Sequence, residues 1–214
     1  MKKRRARGRF ITLEGLEGVG KSTHMEFVSG WLRDRGLTVV VTREPGGTPG
    51  ADEIRNTLLK VRGESFDPMA ELLLMFAARA LHVESVIRPA LAAGEWVLCD
   101  RFTDASYAYQ GGGRGIPAAR IASLERMVLK GLKPDLTLLL DADVETGMAR
   151  VRNRGSLDRF EQEQTAFFRR VRKVYLARAK RGPRRIKRVD AAQSIPAVQA
   201  ELGRLLDGSL KRWK

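Results

Sequence analysis

Gly15-Leu16-Glu17-Gly18-Val19-Gly20-Lys21-Ser22-Thr23 satisfies every position of the phosphate-binding pattern G-x-x-x-x-G-K-[ST]. An apolar, β-branched run at 10–13 precedes it, and an amphipathic helical pattern follows at 23–35. Strand, glycine-rich turn and helix in this order are the context that the pattern requires, because N–H groups of the turn and of the helix N-terminus bind phosphate oxygens. We therefore predict a nucleoside triphosphate site in which Lys21 binds the β- and γ-phosphates and Ser22 holds Mg²⁺.

The rest of the chain alternates between strand and helix patterns. Apolar runs at 37–41, 95–101, 136–141 and 185–189 predict four further strands, and helical spacing lies between them at 51–61, 68–93, 117–130, 144–152 and 160–179, with a last helix from 194. The stretch 107–115 is too rich in glycine to predict a regular element. Such alternation predicts an α/β fold, a five-stranded parallel sheet with helices on both faces.

Polar residues follow the predicted strands, at the sheet edge where ligands bind in such folds. They are Glu14, Arg43, Asp100, Arg101, Asp141 and Asp190. At this edge the Asp100 carboxylate can join the Mg²⁺ shell or orient an acceptor phosphate, and Arg101 can bind phosphate with two hydrogen bonds. The alternative is a capping pair at the end of a strand.

A second basic cluster predicts a lid. Arg150, Arg152, Arg154 and Arg159 surround Gly155, and cations on a glycine-hinged segment suit closure over a transferring phosphoryl group. The alternative is a solvated basic helix end. We assign the similar run at 178–188 no chemistry.

Composition limits the class of protein. A length of 214 residues favours one domain, and a net charge of +15 favours anionic partners. The single cysteine, Cys99, excludes an internal disulfide and is expected to be buried, and two histidines make a zinc site improbable. With no membrane-length apolar run or signal peptide, we expect a cytoplasmic protein with no membrane partner. We divide the chain into a basic, disordered arm at 1–8, a domain at 9–207 with its lid at about 150–160, and a tail at 208–214.

The order and spacing of these motifs resemble the bacterial thymidylate kinases, P-loop nucleoside monophosphate kinases, from about 9 to 206. Arg43-Glu44-Pro45-Gly46-Gly47-Thr48 and Tyr109-Gln110-Gly111-Gly112-Gly113-Arg114-Gly115 are far more specific than the phosphate loop. Shorter matches lie at 77–79, 100–102, 134–137 and 157–159. The resemblance implies a homodimer that transfers the γ-phosphoryl group of ATP to dTMP with Mg²⁺, giving dTDP, with no need for nucleic acid.

The resemblance also implies site residues. On the acceptor side, Arg43 and Arg101 would hold the dTMP phosphate, and Arg79 and Ser106 would hydrogen-bond thymine. Gln110 would lie near the base, Tyr109 would exclude a ribose 2′-hydroxyl, and Glu17 would meet the 3′-hydroxyl. On the ATP side, Arg150 would lie against adenine and Arg154 would be the lid arginine. Lys21, Asp100, Arg101 and Arg154 would be catalytic, with Ser22 and Asp100 at the metal.

Two positions depart from the family pattern. Met75 stands where the family usually has a phenylalanine stacked on thymine, and the neighbouring Phe76 cannot replace it, because one residue turns a side chain about 100° round a helix. Met75 can still pack on the base through its sulfur. Gly18 stands where some relatives carry an arginine, so a lid arginine has to supply that charge. Ala78, where many relatives have aspartate, is a mild change.

Three alternatives stay open at this point. The chain could phosphorylate another nucleotide or a deoxynucleoside, although the Arg43 and Arg101 pair argues against a neutral acceptor. It could be a nucleic-acid-stimulated ATPase, but no basic platform interleaved with aromatic residues is visible. It could also be a regulatory module that binds nucleotide without transfer.

Overall fold

The structure, a computed structural model, describes residues 7–61, 66–152 and 158–213, with Arg152 described by its backbone alone. Five strands form one sheet: β1 (Phe10–Gly15), β2 (Val39–Arg43), β3 (Trp96–Asp100), β4 (Leu136–Asp141) and β5 (Ile186–Asp190). The helices are α1 (Lys21–Arg33), α2 (Pro49–Leu59), α3 (Pro68–His82), α4 (Arg88–Ala92), α5 (Thr103–Ser106), α6 (Ala118–Leu129), α7 (Val144–Arg152), α8 (Thr165–Arg181) and α9 (Ile195–Trp213). Two π-helical segments, Val83–Ile87 and Tyr107–Gly113, join α3 to α4 and extend α5.

All strand pairs are parallel, in the order β2-β3-β1-β4-β5, which confirms the predicted fold class. The register pairs Asp100 of β3 with Leu13 of β1 and with Arg43 of β2. The C-terminal ends of these three strands are therefore adjacent, next to the loop that follows β1.

Both faces of the sheet are apolar. Successive residues of β1 point to opposite sides: Phe10 packs with Val83 and Ile87 beyond α3, and Ile11 packs with Val28 and other residues of α1. Cys99 is buried on the first of these faces, as expected, and burial raises the pKa of its thiol. In the described part of the chain, no helix is long and apolar enough to cross a membrane.

The predicted helix at 68–93 is observed as α3, a π-helical segment and α4 in succession. Asp67 caps its start through hydrogen bonds from Met69 N and Ala70 N. Pro89 does not end it early, because it lies in the first turn of α4, where its missing N–H is tolerated.

The expectation of irregular structure at 107–115 is wrong, since Tyr107–Gly113 is π-helical. The glycines serve close packing. A Cβ on Gly113 would lie 2.3 Å from the Phe167 ring, and one on Gly112 would lie 2.9 Å from the Arg170 carbonyl oxygen. Because glycine has no side chain, α8 can pack directly against the backbone of the π-helical segment.

The chain boundaries also differ from those expected. The helix predicted from 160 begins at Thr165, because the Asp158 carboxylate accepts hydrogen bonds from the backbone N–H groups of Phe160 and Glu161 in a preceding turn. Residues 208–213, expected as a tail, continue α9, and Trp213 packs edge-on against Trp96. Of the expected arm, residues 1–6 lie outside the described residues, and Gly8 is buried with its N–H bonded to Leu91 O.

Candidate active site

The phosphate loop connects β1 to α1 as predicted. Gly18 and Gly20 have positive φ angles of 71° and 85°, which glycine adopts without strain. Gly18 also lies against α7, where an added Cβ would meet the Gly147 carbonyl oxygen at 2.0 Å. Leu16 and Val19 point into the core, so the loop offers backbone groups rather than these side chains to a ligand.

Lys21 begins α1 and folds back over the loop. Its ammonium group donates to Leu16 O at 2.7 Å and lies 3.4 Å from Gly15 O. Burial, with a contribution from nearby Arg101, lowers the pKa of Lys21 to about 8. The lysine is therefore charged at neutral pH and held by carbonyl oxygens that a phosphate can replace.

A cavity of about 500 Å³ opens beside the loop. Its lining includes most of the predicted site residues: Glu17, Gly18, Gly20, Lys21, Ser22, Thr23, Met75, Arg79, Asp100, Arg101, Ser106, Tyr109, Gln110 and Arg150. The phosphate loop forms one side, while α3, the end of β3 and the segment 105–110 form the other. The structure thus brings together residues that are distant in the sequence, as in the contact of Arg150 with Gly18 O, 132 positions apart.

Arg101, Glu17 and Tyr109 form one hydrogen-bonded group. The Arg101 guanidinium donates to Glu17 Oε1 at 2.8 Å and to Gly15 O at 2.9 Å. The Tyr109 hydroxyl lies 2.7 Å from both Glu17 oxygens, and the Arg101 guanidinium lies over the Tyr109 ring at 4.8 Å. Burial raises the pKa of Tyr109 well above its ordinary value, so the hydroxyl is a donor at neutral pH.

Arg101 has a φ of 68°, a left-handed conformation that is uncommon outside glycine. Glu14 supports this turn from below, because its Oε1 accepts the Phe102 N–H at 2.7 Å and its Oε2 contacts the Tyr175 hydroxyl at 2.7 Å. Burial raises the pKa of Glu14 to about 8. Sequence reasoning placed Glu14 at the sheet edge, but its role is to hold the backbone beside Arg101 rather than to line the cavity.

The residues that the resemblance assigns to the base, Met75, Arg79, Ser106 and Gln110, form one wall of the cavity, called the base-side wall below. This wall is built round Arg79, which is buried. Its guanidinium donates to Glu44 Oε2 at 2.7 Å, to Ser106 Oγ at 3.0 Å and to Phe102 O at 3.2 Å. His82 approaches the other Glu44 oxygen at 3.0 Å and contacts Thr42 through its second ring nitrogen. This network fixes Arg79 from several directions, and sequence reasoning missed Glu44 and His82 as its supports.

Met75 and Phe76 take different directions, as the helical spacing requires. Met75 lines the cavity, whereas Phe76 is buried in a separate apolar cluster with Leu72 and Ile121. The Phe76 ring packs behind Arg79, with the guanidinium 4.7 Å from the ring centre.

Arg43 is not brought to the cavity. Its guanidinium pairs with Asp52 at 3.0 Å, and its side chain is 55% exposed. The reason is the ion pair with Asp52, which lies in the first turn of α2, the element that follows β2. Arg55, which sequence reasoning missed, lines the cavity instead and donates to Pro45 O at 2.8 Å.

The arginines of the predicted lid fall into different positions. Arg150 is exposed and lies 3.4 Å from Gly18 O. Arg159 is held away from the lining, because it donates to Glu71 at 2.7 Å and to Leu58 O at 2.8 Å. Arg154 and the Arg152 side chain lie outside the described residues.

Two acids expected at the ligand edge take no part in the cavity. Asp141 pairs with Arg172 and Arg188, and Asp190 accepts the backbone N–H of Ala192. Strand order explains this result, since β4 and β5 lie on the far side of β1 from β3. Arg178 and Arg185, for which we expected no chemistry, pair with the buried Asp104.

The cavity also has donors suited to a hard divalent cation. Asp100 Oδ1 is buried and has no hydrogen-bond partner among the described residues, and Ser22 lines the same cavity. An unsatisfied carboxylate oxygen and a hydroxyl oxygen fit Mg²⁺, which takes few protein ligands and keeps several waters. No group of three acidic, histidine or cysteine side chains in the described part of the chain could hold a metal alone.

Comparison with known proteins agrees with this geometry. The family model described as thymidylate kinase matches residues 13–202. A thymidylate kinase of Pseudomonas putida (strain GB-1) is 59% identical over 205 residues, covering 96% of this chain and 98% of the relative. One of Teredinibacter turnerae is 54% identical over 203 residues, covering 95% of this chain and 99% of the relative. The crystal structure of thymidylate kinase from Ehrlichia chaffeensis superposes with a TM-score of 0.77 at 34% identity, covering 94% of this chain and 99% of that one. The chain belongs to the thymidylate kinase family.

Proposed function

We infer that the chain transfers the γ-phosphoryl group of ATP to dTMP, giving dTDP and ADP. Its family and its near full-length relatives support ATP-dependent phosphorylation of dTMP. The observation that carries the inference is a single cavity with the phosphate loop on one side and Arg79, Ser106 and Gln110 on the other. A donor triphosphate and an acceptor nucleotide can therefore meet in one enclosed space.

On the donor side, the loop backbone and Lys21 bind the ATP phosphates. Lys21 exchanges its carbonyl partners for phosphate oxygens, and its charge offsets the negative charge on the transferring group. We assign adenine to Arg150, and its contact with Gly18 O in the phosphate loop supports this assignment. Arg154 is our proposed lid arginine on the sequence alone, and it supplies the cation that Gly18 does not.

Ser22 and Asp100 would hold Mg²⁺ in this site. When bound, the ion neutralises charge on the β- and γ-phosphate oxygens. Asp100 lies at the end of β3, next to Arg101, and lines the cavity.

On the acceptor side, we assign the dTMP phosphate to Arg101 and Arg55, both of which line the cavity. Arg43 joins them only if it leaves Asp52. The acceptor phosphate oxygen is already ionised, so it attacks the γ-phosphorus directly and no general base is needed. The cations hold the two anions together and stabilise the charge that spreads over the transferring oxygens.

The nucleoside of dTMP lies against the base-side wall. Arg79 and Ser106 face the thymine edge, Met75 packs on the ring, and Gln110 lies close by. Tyr109 and Glu17 take the sugar, with Glu17 near the 3′-hydroxyl and the Tyr109 ring where a ribose 2′-hydroxyl would sit.

Product analysis tests the function directly. The protein is incubated with ATP, Mg²⁺ and one monophosphate at a time, and nucleotides are separated by chromatography. We expect dTDP and ADP in equal amounts from dTMP. If nucleic acid stimulates ATP hydrolysis in the absence of dTMP, the ATPase alternative is supported instead. If neither ATP nor dTMP is consumed, a module that binds nucleotide without transfer is supported.

We also propose a homodimer. Leu73 and Leu81 are exposed on one side of α3, two turns apart, and Met127 is exposed on the adjacent α6. Isolated exposed leucines are ordinary, but a stripe on packed helices suits a self-complementary interface. Sedimentation should give twice the chain mass, and Leu81→Glu should give the monomer, whereas Ile195→Glu, an exposed aliphatic site on α9, should leave the dimer intact. A monomeric parent protein would refute the proposal.

A further inference from the structure

A fully buried carboxylate lies directly behind the base-side wall. Glu71 is on α3, one turn before Met75, and does not line the cavity. It contacts two guanidinium groups, Arg159 at 2.7 Å and Arg114 at 3.2 Å. Its Oε1 also accepts a hydrogen bond from Gln110 Nε2 at 2.9 Å. Glu71 therefore links this ion-pair cluster to the side chain of Gln110, which lines the cavity on the acceptor side.

The contact sets the orientation of the Gln110 amide. An amide can turn over, exchanging its N–H₂ group for its carbonyl oxygen, and the partners decide which orientation is held. A carboxylate paired with two guanidinium groups only accepts hydrogen bonds, so it requires the amide nitrogen to face it. The side-chain oxygen of Gln110, Oε1, is then directed away from Glu71, and no donor in the described part of the chain forms a hydrogen bond to it.

An acceptor on this wall distinguishes pyrimidines. Thymine carries a donor at ring nitrogen N3, and cytosine carries a lone pair there. A fixed carbonyl oxygen attracts the thymine N3–H and repels the lone pair on cytosine N3. Arg79 has only donors, so it disfavours the cytosine amino group, which is also a donor. An amide free to turn would offer its N–H₂ group to cytosine and lose the repulsion.

We propose that Glu71 is a specificity-determining positioning residue, which holds the Gln110 amide so that the site favours thymine over cytosine. The proposal rests on the proposed function, since it takes the base to lie against Gln110. Glu71 touches no substrate and acts through Gln110.

The test compares kcat/KM for dTMP and dCMP. Glu71→Gln replaces the acceptor-only carboxylate by a group that can face either end of the Gln110 amide. We expect the dTMP/dCMP ratio of kcat/KM to fall about tenfold, the value of roughly one hydrogen bond to a buried group. An unchanged ratio in a folded variant would overturn the proposal.

A matched control separates specificity from loss of stability. Asp104→Asn also converts a buried carboxylate that holds two arginines, Arg178 and Arg185, into an amide. It should lower the melting temperature and leave the dTMP/dCMP ratio at the parent value. An equal fall of the ratio in both variants would show that Glu71 acts only through general stability.

A double-mutant cycle tests the route through Gln110. Gln110→Leu should reduce the ratio by itself, and adding Glu71→Gln should then change it no further. Additive effects would mean that Glu71 acts on the base by another path, which refutes the positioning role.

Should Glu71→Gln fail to fold, nuclear magnetic resonance of the parent enzyme decides. We expect the Gln110 side-chain amide protons to be shifted downfield and slow to exchange with solvent, with and without dTMP. Fast exchange or averaged signals would overturn the proposal. The proposed function is judged separately: a parent enzyme that makes no dTDP refutes that function, whereas one that makes dTDP without these Gln110 signatures refutes only the role of Glu71.

Discussion

The Arg101 guanidinium and the Glu17 carboxylate form an ion pair of 2.8 Å that links the end of β3 to the phosphate loop. The two side chains are largely enclosed, with 16% and 11% of their surfaces exposed. The pair joins the cation that we propose for the acceptor phosphate to the carboxylate that we propose for the sugar, and both side chains line the cavity. Because Glu17 also accepts from Tyr109, the three side chains that we propose for the sugar and phosphate of the acceptor belong to one hydrogen-bonded group.

Tyr109 should control which sugar is accepted. Its hydroxyl is held by Glu17 and its ring is buried, so it cannot yield to a ribose 2′-hydroxyl. We expect the parent enzyme to use dUMP far better than UMP, Tyr109→Phe to keep most of this preference, and Tyr109→Ala to lose it.

Thymine should be preferred over uracil by only about 1–3 kcal/mol, because burial of one methyl group in a pocket contributes little binding energy. Steady-state kinetics with dTMP, dUMP and UMP checks both statements, and equal use of dUMP and UMP by the parent would refute the role of Tyr109.

Met75→Phe should bind dTMP as well as the parent or better. Met75 is partly buried and faces the cavity, and stacking of a base on an aromatic ring contributes roughly 1–3 kcal/mol. Titration calorimetry with dTMP measures the change. Phe76→Met, in the separate cluster behind Arg79, is the matched control and should lower the melting temperature without improving affinity. A large loss of dTMP affinity in Met75→Phe would show that the pocket has no room for the ring.

Lys21 should give a pH limit on the capture of ATP. Burial lowers its pKa to about 8, so the free enzyme loses this charge as pH rises through 8. We expect kcat/KM for ATP to fall above about pH 8, and kcat at saturating ATP to persist to higher pH, because bound phosphates favour the charged lysine. The effect of Lys21 on stability has the opposite pH dependence. Between about pH 8 and 10.5 the native state binds fewer protons than the unfolded chain, so the contribution of Lys21 to the free energy of unfolding rises with pH.

Glu14, whose pKa is also about 8, provides the control for that pH profile. In Glu14→Gln the alkaline fall in kcat/KM for ATP should persist, although overall activity drops because the Phe102 N–H is less firmly held. Loss of the fall in this variant would assign it to Glu14, and a flat profile from pH 7 to 9 in the parent would contradict the lowered pKa of Lys21.

Arg154→Ala should lower kcat by roughly 10³–10⁵-fold, the range for an arginine that stabilises the transition state of phosphoryl transfer, with KM for ATP little changed. Arg154→Lys should restore only part, since an ammonium group lacks the planar fork of arginine. Arg159→Ala is the structural counterpart: it removes a partner of buried Glu71 and should lower the melting temperature as well as activity. If kcat is normal in Arg154→Ala and falls only in Arg152→Ala, the role belongs to Arg152. Normal turnover in Arg152→Ala, Arg154→Ala and Arg159→Ala would refute a lid arginine.

Much of the site could be predicted from the sequence because its residues lie in contiguous motifs. The stretch from 10 to 35 predicts strand, turn and helix in succession, and local sterics and the helix N-terminus suffice to predict a phosphate site there. The alternation of patterns likewise predicted a parallel sheet, and the offset between Met75 and Phe76 followed from helical geometry alone.

Contacts between different helices and strands were decided only by the tertiary structure. Arg43 carries the motif signal, yet Asp52 on α2 holds it, and Arg55 occupies the cavity wall instead. The glycine-rich stretch at 107–113 looked irregular because its regularity depends on α8 packing against its bare backbone. In both cases the deciding partner belongs to another element of the chain, and a periodic pattern contains no information about which element will be opposite.

The same reason explains Glu71. In the sequence it is one acidic residue of an amphipathic helix, with nothing to separate it from a solvated side chain. Folding places it beside Gln110, Arg114 and Arg159, at separations of 39, 43 and 88 residues. The sequence by itself determined the glycine-rich loop to which we assign phosphate binding, because backbone geometry near glycine is local. The orientation of the Gln110 amide, on which our proposal for base recognition depends, was decided by the tertiary structure, since a buried amide is oriented by the donors and acceptors that the fold assembles around it.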